Sequence, residues 1–503
     1  MRRLTIERTA FIILFALLFA LATRVPVDTD VWWHIRSGEY TLTQGMIYAD
    51  PFSFTKAGTA WTNHSWGAQI ILYAIWQVAG SFGLAIYTSA LATLGMWFVY
   101  RMSSGSVYLR AFAIVLGAAT AAVFWSPRPQ MLSFALSAAL LYILYWHKYE
   151  SGHDVTRPDD TSGRRITFDR LWLIPPLMAL WGNLHAGFSI GFILLAGSIA
   201  GEIAGNLFNS KGEHVVPWRG IRKLALVTLV SAAAIVINPY GLNMLAVPFQ
   251  TVSIGALQNF IQEWNTPNFH ERQNWPFIAL LLGLFGAVGA SRKQLDWTDF
   301  LLTAGTAFMG LLAGRNVALF AVVATPVLTR HLDAMLAERG WVLKPVQRVT
   351  PRMARLNALI VALIGFAALA KVLLVLDVKT VDEAQREFLP IAAVEHMQSA
   401  GLAGPLFNSY NWGGYLIYAL PDEPVFVDGR TDLYGDTFLT ESYFRPAQGA
   451  AGWRDVLAQY SINTVLVEAQ SGLARALREE AGWRLDYEDE MAVIFVRAGD
   501  ENG

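Results

Sequence analysis

Long apolar segments recur along this chain between residues 9 and 376, and they constrain its fold more than any other feature. Most of them are long enough to cross a bilayer, because a spanning helix needs about 20 consecutive apolar residues. Only 15% of the 503 residues are charged, whereas soluble proteins average about 25%. The sequence therefore predicts a polytopic α-helical membrane protein. The absence of cysteine excludes a disulfide framework and a thiolate metal site.

Eleven of these segments are predicted to be membrane spans. Their approximate bounds are 9–25, 83–100, 109–126, 130–147, 170–184, 187–207, 222–238, 275–291, 298–314, 316–334 and 356–376. The segments on the side of the N-terminus carry 22 Lys and Arg residues, and the opposite loops carry six. Because cytoplasmic loops are enriched in Lys and Arg, we expect a cytoplasmic N-terminus. An odd number of spans then places the C-terminal segment outside a bacterial-type inner membrane.

The first apolar segment allows two interpretations. The basic start MRRLTIER, the apolar run and ALA at residues 20–22 also fit a cleaved signal peptide. The chain stays apolar after residue 22 except for Arg24, which favours a retained first span. Residues 26–82 then form one large external loop. Its second half, HSWGAQIILYAIWQVAG, is short for a span and predicts a helix that lies on the membrane surface.

Residues 377–503 differ from the rest of the chain in charge and in pattern. They contain 21 acidic and nine basic residues, whereas residues 1–376 have a net charge of +11. Alternating helix and strand patterns predict an α/β domain, with FLPIAAVEHMQSAG as a helix and GPLFNSY and PVFVDGR as buried strands. We therefore predict two domains, a transmembrane domain over 1–376 and an extracytoplasmic α/β domain over 377–503.

The first external loop opens with the motif DTDVWWHIRSGEY, from Asp28 to Tyr40. On an extended segment, Asp28 and Asp30 would point to the same side. Such a pair could hold a divalent cation such as Mg²⁺ or Mn²⁺, or supply a general base. Either Asp could instead cap a helix that starts at VWWHIR. The presence of His34 and Arg36 in the same motif favours the functional interpretation.

Further ionisable residues occur where predicted spans end on the external side. They are Arg128 in SPRPQM, His185 in WGNLHAGF, Glu263 in FIQEWNTPNFHER and Arg315 in GLLAGRNVALF. Ionisable groups at membrane depth are costly and suggest function, although a snorkelling or helix-bridging role is an equal alternative for each one alone. Because they share one side of the membrane with the DTD motif, we expect them to converge on one external cavity.

The predicted α/β domain carries its own polar turn. Asp428 and Arg430 follow the strand PVFV, at the position where α/β sheets commonly bind ligands. The alternative is a buried Asp–Arg pair that orders the turn. In NWGGYLIYAL, Gly413 and Gly414 would allow another backbone to approach closely.

Together these features resemble the GT-C superfamily, membrane glycosyltransferases that use polyprenyl-phosphate-linked sugars. Within it, the motifs resemble those of the catalytic subunits of oligosaccharyltransferases. There, an Asp near the start of the first external loop precedes an aromatic-rich run, as in DTDVWWHIR, so that Asp28 or Asp30 matches that Asp and Arg36 the basic residue. DPFSF at residues 50–54 resembles the later part of that loop, and Glu263 matches the catalytic Glu of a later external loop by position.

A second likeness lies in NSYNWGGYLIYALPDEPVFVDGRT, which resembles the stretch around the W-W-D-Y-G motif of these enzymes. The matching residues are Gly414, Tyr415, Ile417, Val427 and Asp428. Trp412 stands where these enzymes have the Asp that reads a peptide acceptor. The next external loop, WSPRPQM, lacks the second acidic pair expected there. At these two positions the resemblance supports neither peptide recognition nor a complete metal site.

The resemblance implies transfer of a sugar from a polyprenyl phosphate to a glycan, lipid or protein acceptor at the external face, within membrane lipids and without nucleic acid. Asp28 or Asp30 would serve as the base, and Arg128 and Arg315 would bind the leaving phosphate. The expected substrate contacts also include His34, Arg36, His185, Trp412, Tyr415, Asp428 and Arg430. The alternatives are an oligosaccharyltransferase-like protein glycosylation enzyme, a transporter or flippase, and a non-catalytic assembly factor. A transporter would carry charges near mid-bilayer and internal repeats, and neither is evident in the sequence.

Overall fold

The computed structural model describes residues 4–150, 169–252, 254–255, 261–342 and 349–499. Part of the predicted charge bias falls on Arg2, Arg3, three arginines between residues 151 and 168, and Lys344 and Arg348, which lie outside the described residues. The remaining basic residues of that count are within the described part of the chain.

The N-terminal part is built from helices. In chain order they are α1 Ile6–Ala22, α2 Val31–Gln44, α3 Trp66–Met102, α4 Val107–Ala121, α5 Gln130–Tyr145, α6 Ile174–Leu184, α7 Phe188–Phe208, α8 Trp218–Ile235, α9 Asn243–Val252, α10 Trp275–Ala290, α11 Trp297–Leu312, α12 Val317–Glu338 and α13 Pro351–Val375. Polar side chains begin several of them by accepting hydrogen bonds from first-turn N–H groups. These caps are Thr5 for α1, Ser106 for α4, Asp296 for α11 and Thr350 for α13.

Each of the eleven predicted spans overlaps one of these helices. In the described ranges, seven helices are long and apolar enough to cross a membrane by length and composition. They are Trp66–Met102, Val107–Phe124, Gln130–Tyr149, Phe188–Phe208, Arg272–Ala290, Gly314–Glu338 and Pro351–Val375. At the other four positions the helix is shorter or, in α8, carries three Lys and Arg residues. The count of eleven spans therefore stays a prediction.

Helix α3 contains both the predicted surface helix and the span that follows it. Its 37 residues are interrupted at Gly80, whose φ of 52° lies in the left-handed region. Glycine has no Cβ and adopts this conformation without a steric penalty, so the helix bends at this position. The predicted boundary between the two segments lies within three residues of that bend.

The C-terminal part surrounds a four-stranded mixed sheet. Its strands are β1 Leu406–Asn408, β2 Thr464–Glu468, β3 Trp483–Glu488 and β4 Ala492–Arg497, in the order β1-β2-β4-β3. Strand β1 is parallel to β2, and the β2–β4 and β3–β4 pairs are antiparallel. The helices are α14 Val378–Arg386, α15 Ile391–Ala400, α16 Tyr410–Ala419, α17 Thr431–Tyr434, α18 Arg445–Ala447, α19 Trp453–Gln459 and α20 Gly472–Arg478. The predicted helix in FLPIAAVEHMQSAG and the strand in GPLFNSY are confirmed as α15 and β1.

The predicted strand in PVFVDGR is wrong, although the segment is buried as expected. Val425 forms only an isolated bridge with Ser53 of the first loop. The following backbone groups bond to a side chain instead of a strand, because Asn408 accepts from the Phe426 N–H and donates to the Val427 carbonyl. These bonds satisfy the buried peptide groups without a ladder.

The first loop and the C-terminal part share one hydrophobic core. Trp33, Phe52 and Trp61 of the loop pack in the same buried cluster as Phe407 and Val465 of the sheet. The polar face of the first loop is therefore held by two bodies, the helical bundle and the C-terminal part.

Candidate active site

One guanidinium group lies at the centre of the candidate site. Arg128 contacts Asp28 (Nε to Oδ2, 3.0 Å), Asp30 (Nη1 to Oδ2, 2.8 Å) and Glu263 (Nη2 to Oε2, 3.0 Å). Arg315 lies beyond Glu263, with its Nη1 3.5 Å from Oε1. These five charged residues come from four turns that are distant in sequence, and the fold brings them together.

The DTD motif is the start of a helix and not an extended segment. Asp30 occupies the N-cap position of α2, yet its side chain makes no capping hydrogen bond. Asp28 Oδ1 accepts a hydrogen bond of 2.9 Å from the backbone N–H of Asp30, which closes the turn. The other oxygen of Asp28 and the Oδ2 of Asp30 both remain available to Arg128. The capping alternative therefore does not account for the carboxylate of Asp30.

Arg128 is held in a tight turn before α5. Its backbone N–H donates to the Ser126 carbonyl at 2.7 Å, and its Nε also lies 3.2 Å from Ser126 Oγ. The Tyr87 hydroxyl donates to the Arg128 carbonyl at 3.3 Å. Prolines on both sides of Arg128 restrict the backbone further. The guanidinium is therefore positioned by its own turn as well as by its carboxylate partners.

Glu263 and Arg315 lie on two short 3-10 turns, Gln262–Trp264 and Gly314–Asn316, that contact each other. The Gly314 N–H donates to the Asn265 carbonyl at 3.0 Å. The guanidinium of Arg315 lies over the ring of Trp264, 4.2 Å from its centroid, a cation–π contact. This pairing of turns explains why Arg315 reaches Glu263.

These charged groups line a cavity of about 1850 Å³, larger than the roughly 300–1,000 Å³ of common ligand pockets. Its wall contains both polar and apolar side chains. The polar lining includes Asp28, Asp30, His34, His64, Arg128, His185, Glu263 and Arg315. The apolar lining includes Phe124, Phe188, Phe192, Ile193, Leu245 and Phe249. Such a cavity can hold a ligand that is both charged and apolar.

The pKa values of Asp30 and Glu263 shift in opposite directions, because the arginines outweigh the effect of burial at Glu263 alone. Desolvation raises the pKa of Asp30 to about 6, although Arg128 acts against this shift. Burial would also raise the pKa of Glu263, but the guanidinium groups of Arg128 and Arg315 outweigh it and lower the pKa. Glu263 is therefore ionised at neutral pH, while Asp30 can exchange a proton near pH 6.

Three histidines near the carboxylates stay neutral at pH 7. Burial lowers the pKa of His34 and of His185 well below the usual value, and it also lowers the pKa of His64. His185 Nδ1 lies 2.8 Å from Ser133 Oγ, and His34 Nδ1 lies 3.3 Å from Gln69 Nε2. The positive charge beside the carboxylates therefore comes from the two arginines.

The structure does not bring Arg36, or Trp412 and Tyr415 of the W-W-D-Y-G-like stretch, to the cavity. Arg36 pairs with Glu39 at 2.6 Å and is not part of the cavity lining. Trp412 is buried in the core of the C-terminal part. Tyr415 packs edge-on against Trp32, with ring centroids 5.6 Å apart. These three side chains serve packing and a local ion pair in the described fold.

Asp428 and Arg430 form a buried cluster at the edge of the cavity, whose lining includes Arg430 but not Asp428. Arg430 contacts Asp428 (Nη2 to Oδ2) and Asp50 of the first loop (Nη1 to Oδ1), each at 2.6 Å, and all three side chains have no exposed surface. The Tyr434 hydroxyl donates to Asp428 at 2.7 Å. The buried pair that orders a turn is thus the arrangement observed, and it also joins the first loop to the C-terminal part.

Some cavity residues were not predicted as site residues. They include His64, Trp264, Tyr410 and Asp432. Trp264 follows Glu263 directly, so its place beside that carboxylate could have been expected. Tyr410 and Asp432 belong to the C-terminal part, and no local pattern indicates that they meet the first loop. Asp432 accepts a hydrogen bond from Trp61 Nε1 at 2.9 Å.

The carboxylates do not fit a bound divalent cation as they stand. Among the described residues there is no group of three or more His, Asp and Glu arranged to hold a metal ion. Asp28, Asp30 and Glu263 instead direct oxygens at three nitrogens of Arg128, which fills the space between them. The expected Mg²⁺ or Mn²⁺ at Asp28 and Asp30 would have to displace that guanidinium.

Comparison with solved structures gives the fold a family context. The archaeal oligosaccharyltransferase AglB from Archaeoglobus fulgidus, solved with an inhibitory peptide and a dolichol-phosphate, has a TM-score of 0.57 and 12% identity, covering 98% of this chain and 75% of its own. ArnT from Cupriavidus metallidurans in the apo state has a TM-score of 0.51 and 13% identity, covering 97% of this chain and 98% of its own. No family model and no curated protein sequence matches the chain.

Both of these proteins are membrane glycosyltransferases of the GT-C superfamily. The chain therefore shares the fold of these two proteins, with a mostly helical body and a small C-terminal sheet, as the motif resemblance predicted. At 12–13% identity the likeness is one of fold, and function depends on the residues of the site and not on the fold alone.

Proposed function

We propose that the protein is an integral membrane glycosyltransferase that transfers a sugar from a polyprenyl-phosphate-linked donor at the extracytoplasmic face. The observation that carries this proposal is the single cavity in which Asp30, Glu263 and two arginines meet an apolar wall. Such a cavity suits a lipid phosphate, whose head is anionic and whose tail is apolar. The AglB structure, which has the same fold, contains a dolichol-phosphate.

Asp30 is the better candidate for the base. Its side chain is 28% exposed, against 15% for Asp28, and a pKa of about 6 lets it accept a proton near neutral pH. Asp28 is committed to the turn and to Arg128. The acceptor hydroxyl would give its proton to Asp30 and attack the anomeric carbon, whose bond to the phosphate oxygen breaks with the electron pair leaving on the phosphate.

Arg315 is the better candidate for binding the leaving phosphate. Its described ion pair, with Glu263, is 3.5 Å long, and its side chain is 25% exposed. The nitrogens of Arg128 each already contact a carboxylate. A guanidinium has five N–H donors in a planar fork that matches phosphate oxygens. Positive charge at this point would stabilise the negative charge that develops on the departing phosphate.

The apolar wall supplies a place for the polyprenyl tail. Of its side chains, Ile193 is 44% and Phe249 is 78% exposed, so this wall reaches the protein surface. Exposed apolar side chains of a membrane protein can face lipid without cost. The tail would therefore extend from the cavity toward the membrane between α7 and α9.

A glycan or lipid acceptor is favoured over a peptide. In the motif resemblance, Trp412 stands at the position of the acceptor-reading Asp. Trp412 is only 3% exposed and packs inside the C-terminal core, away from the cavity lining. Transfer to a protein remains the alternative outcome of the acceptor assay described below.

The proposed organisation has a membrane domain over 1–376, an extracytoplasmic domain over 377–503 and a cytoplasmic N-terminus. The excess of Lys and Arg on one side of the chain supports this orientation. The shared core of the first loop and the sheet supports a common side for both.

The test is a transfer assay with the purified full chain in nanodiscs. Polyprenyl-phosphate-linked sugars are supplied together with glycan, lipid and peptide acceptors, and products are identified by mass spectrometry. We expect transfer by the wild type, its loss in Asp30→Asn, and wild-type rates in Glu39→Gln, an external-loop carboxylate outside the cavity. Deletion of the gene should remove a sugar from surface glycans or glycolipids. If no donor is used and the deletion leaves surface glycans and glycoproteins unchanged, the proposal fails.

A further inference from the structure

The three carboxylates around Arg128 are arranged as in a cation-binding site, and the cation between them is the guanidinium group of the protein itself. Three carboxylate oxygens, one each from Asp28, Asp30 and Glu263, lie 2.8–3.0 Å from three different nitrogens of the same guanidinium. A carboxylate-bound Mg²⁺ would require oxygens to converge on one point at about 2.1 Å. The central position between the carboxylates is occupied by the guanidinium itself.

Arg128 cannot leave this position without a large penalty. Its side chain is 19% exposed and its turn is fixed by the bonds to Ser126. If the guanidinium rotated away, three partly buried carboxylates would face one another with only Arg315, 3.5 Å from Glu263, as a counter-charge. Leaving Asp28 and Asp30 unpaired in this way is strongly destabilising. The ion cluster and the turn therefore both hold Arg128 in place.

No other described cation facing the cluster bonds to all three carboxylates. Arg315 reaches Glu263 alone. His34, His64 and His185 line the same cavity, but burial keeps each of them uncharged at pH 7. The sequence agrees, because WSPRPQM has an arginine in the external loop where the motif resemblance expects a second pair of carboxylates.

We propose that the guanidinium of Arg128 takes the place of a divalent cation in this protein, so that the site works without a bound metal. This inference rests on the proposed transfer reaction for its functional part. The terminal nitrogens of Arg128 each keep a second N–H that can donate to a phosphate oxygen. Arg128 thus fixes the three carboxylates and adds positive charge beside the phosphate at the same time.

The inference predicts that removal of the guanidinium creates a metal site. In Arg128→Ala the three carboxylates lose their cation and become free to bind Mn²⁺, with a Kd of roughly 10⁻⁵–10⁻³ M as in carboxylate sites. Electron paramagnetic resonance of Mn²⁺ with the full chain in nanodiscs measures this directly. We expect no stoichiometric binding by the wild type, one Mn²⁺ per chain in Arg128→Ala, and loss of that binding in Arg128→Ala/Asp30→Asn. Arg36→Ala, which removes an arginine of the first loop outside the cavity, is the matched control and should bind none.

The wild type alone can also overturn the inference. One Mn²⁺ bound per wild-type chain and lost in Asp30→Asn would show that the carboxylates hold a metal despite Arg128. Transfer activity abolished by EDTA and restored by Mn²⁺ would do the same, whereas activity unchanged by EDTA supports the proposal. The binding measurement needs no turnover, so failure of the transfer assay and failure of this inference are separate results. If Arg128→Ala does not fold, Mn²⁺ binding by the wild type and the effect of EDTA on its activity still test whether the site works without a metal.

Discussion

Asp28 and Asp30 are two residues apart, contact the same guanidinium and nevertheless differ in what they can do. One carboxylate oxygen of Asp28 accepts a hydrogen bond from the backbone N–H of Asp30, and the other contacts Arg128. Asp30 contacts Arg128 through Oδ2, and Gly429 lies directly against its Oδ1, because a Cβ added at that glycine would be 2.1 Å from this oxygen. The carboxylate of Asp30 is thus confined on one side and open to the cavity on the other.

The pH dependence of transfer should report the protonation of Asp30. Burial raises its pKa to about 6, against the opposing effect of Arg128. A general base acts in its ionised form, so kcat/KM should fall as pH drops through about 6, by about tenfold per pH unit below that value. The measurement is kcat/KM between about pH 5 and pH 8, with Glu39→Gln as the control that should keep the same profile. An acidic limb near pH 4, the range of an ordinary Asp, would contradict this role.

The sequence predicted which charged residues share a side of the molecule, but not how they pair. Sidedness was inferred from local charge counts, and Arg128, Glu263 and Arg315 line one cavity with the DTD motif. The three contacts of Arg128 join turns far apart in the chain, and no local periodicity encodes them. Arg36 was expected to contact the substrate because of its place in the motif. Arg36 lies six positions after Asp30, a rotation of about 240° around a helix, so its side chain points to a different face from that of Asp30. His34, four positions after Asp30, lies on the same face as Asp30.

At the scale of elements, the first loop and the C-terminal part act as one unit. Phe54 and Val425 exchange backbone contacts across the two segments, with the Phe54 N–H donating to the Val425 carbonyl at 3.2 Å. Gly414 allows a further approach, since a Cβ there would lie 2.8 Å from the Thr29 carbonyl oxygen. The buried cluster of Asp50, Asp428 and Arg430 closes the same interface. Because Gly429 and Asp30 touch, the order of this interface determines the geometry of the site.

Breaking the buried cluster should loosen that interface. Arg430→Met leaves Asp50 and Asp428 buried without their cation, and loss of one partner from such a cluster costs about 3–5 kcal/mol. The expected result is a lower apparent Tm of the full chain in detergent. The exposed pair of Arg445 and Glu441 offers a matched control, because Arg445→Met should cost no more than about 0.5 kcal/mol. Equal Tm values for the two variants would mean that the cluster does not join the parts.

At the scale of the whole molecule, buried charge collects at both ends of the helical bundle. The end opposite the candidate site contains Lys148, which pairs with Glu202 and lies 3.1 Å from Asp296. Nearby, Arg330 pairs with Asp299 at 2.6 Å. These pairs tie α7, α11 and α12 together, and they leave the exposed Lys and Arg residues of the same end free to set the orientation of the chain.

The orientation can be tested directly because the chain contains no cysteine. Single substitutions at exposed positions on the two ends, Lys211→Cys and Asp422→Cys, provide one thiol each in the full-length protein. A membrane-impermeant maleimide should label Asp422→Cys in intact cells and Lys211→Cys only after permeabilisation, since the proposed orientation places the end rich in Lys and Arg in the cytoplasm. Labelling after permeabilisation controls for accessibility of both thiols. The reverse pattern would put the candidate site on the cytoplasmic side, where an extracytoplasmic transfer reaction could not take place.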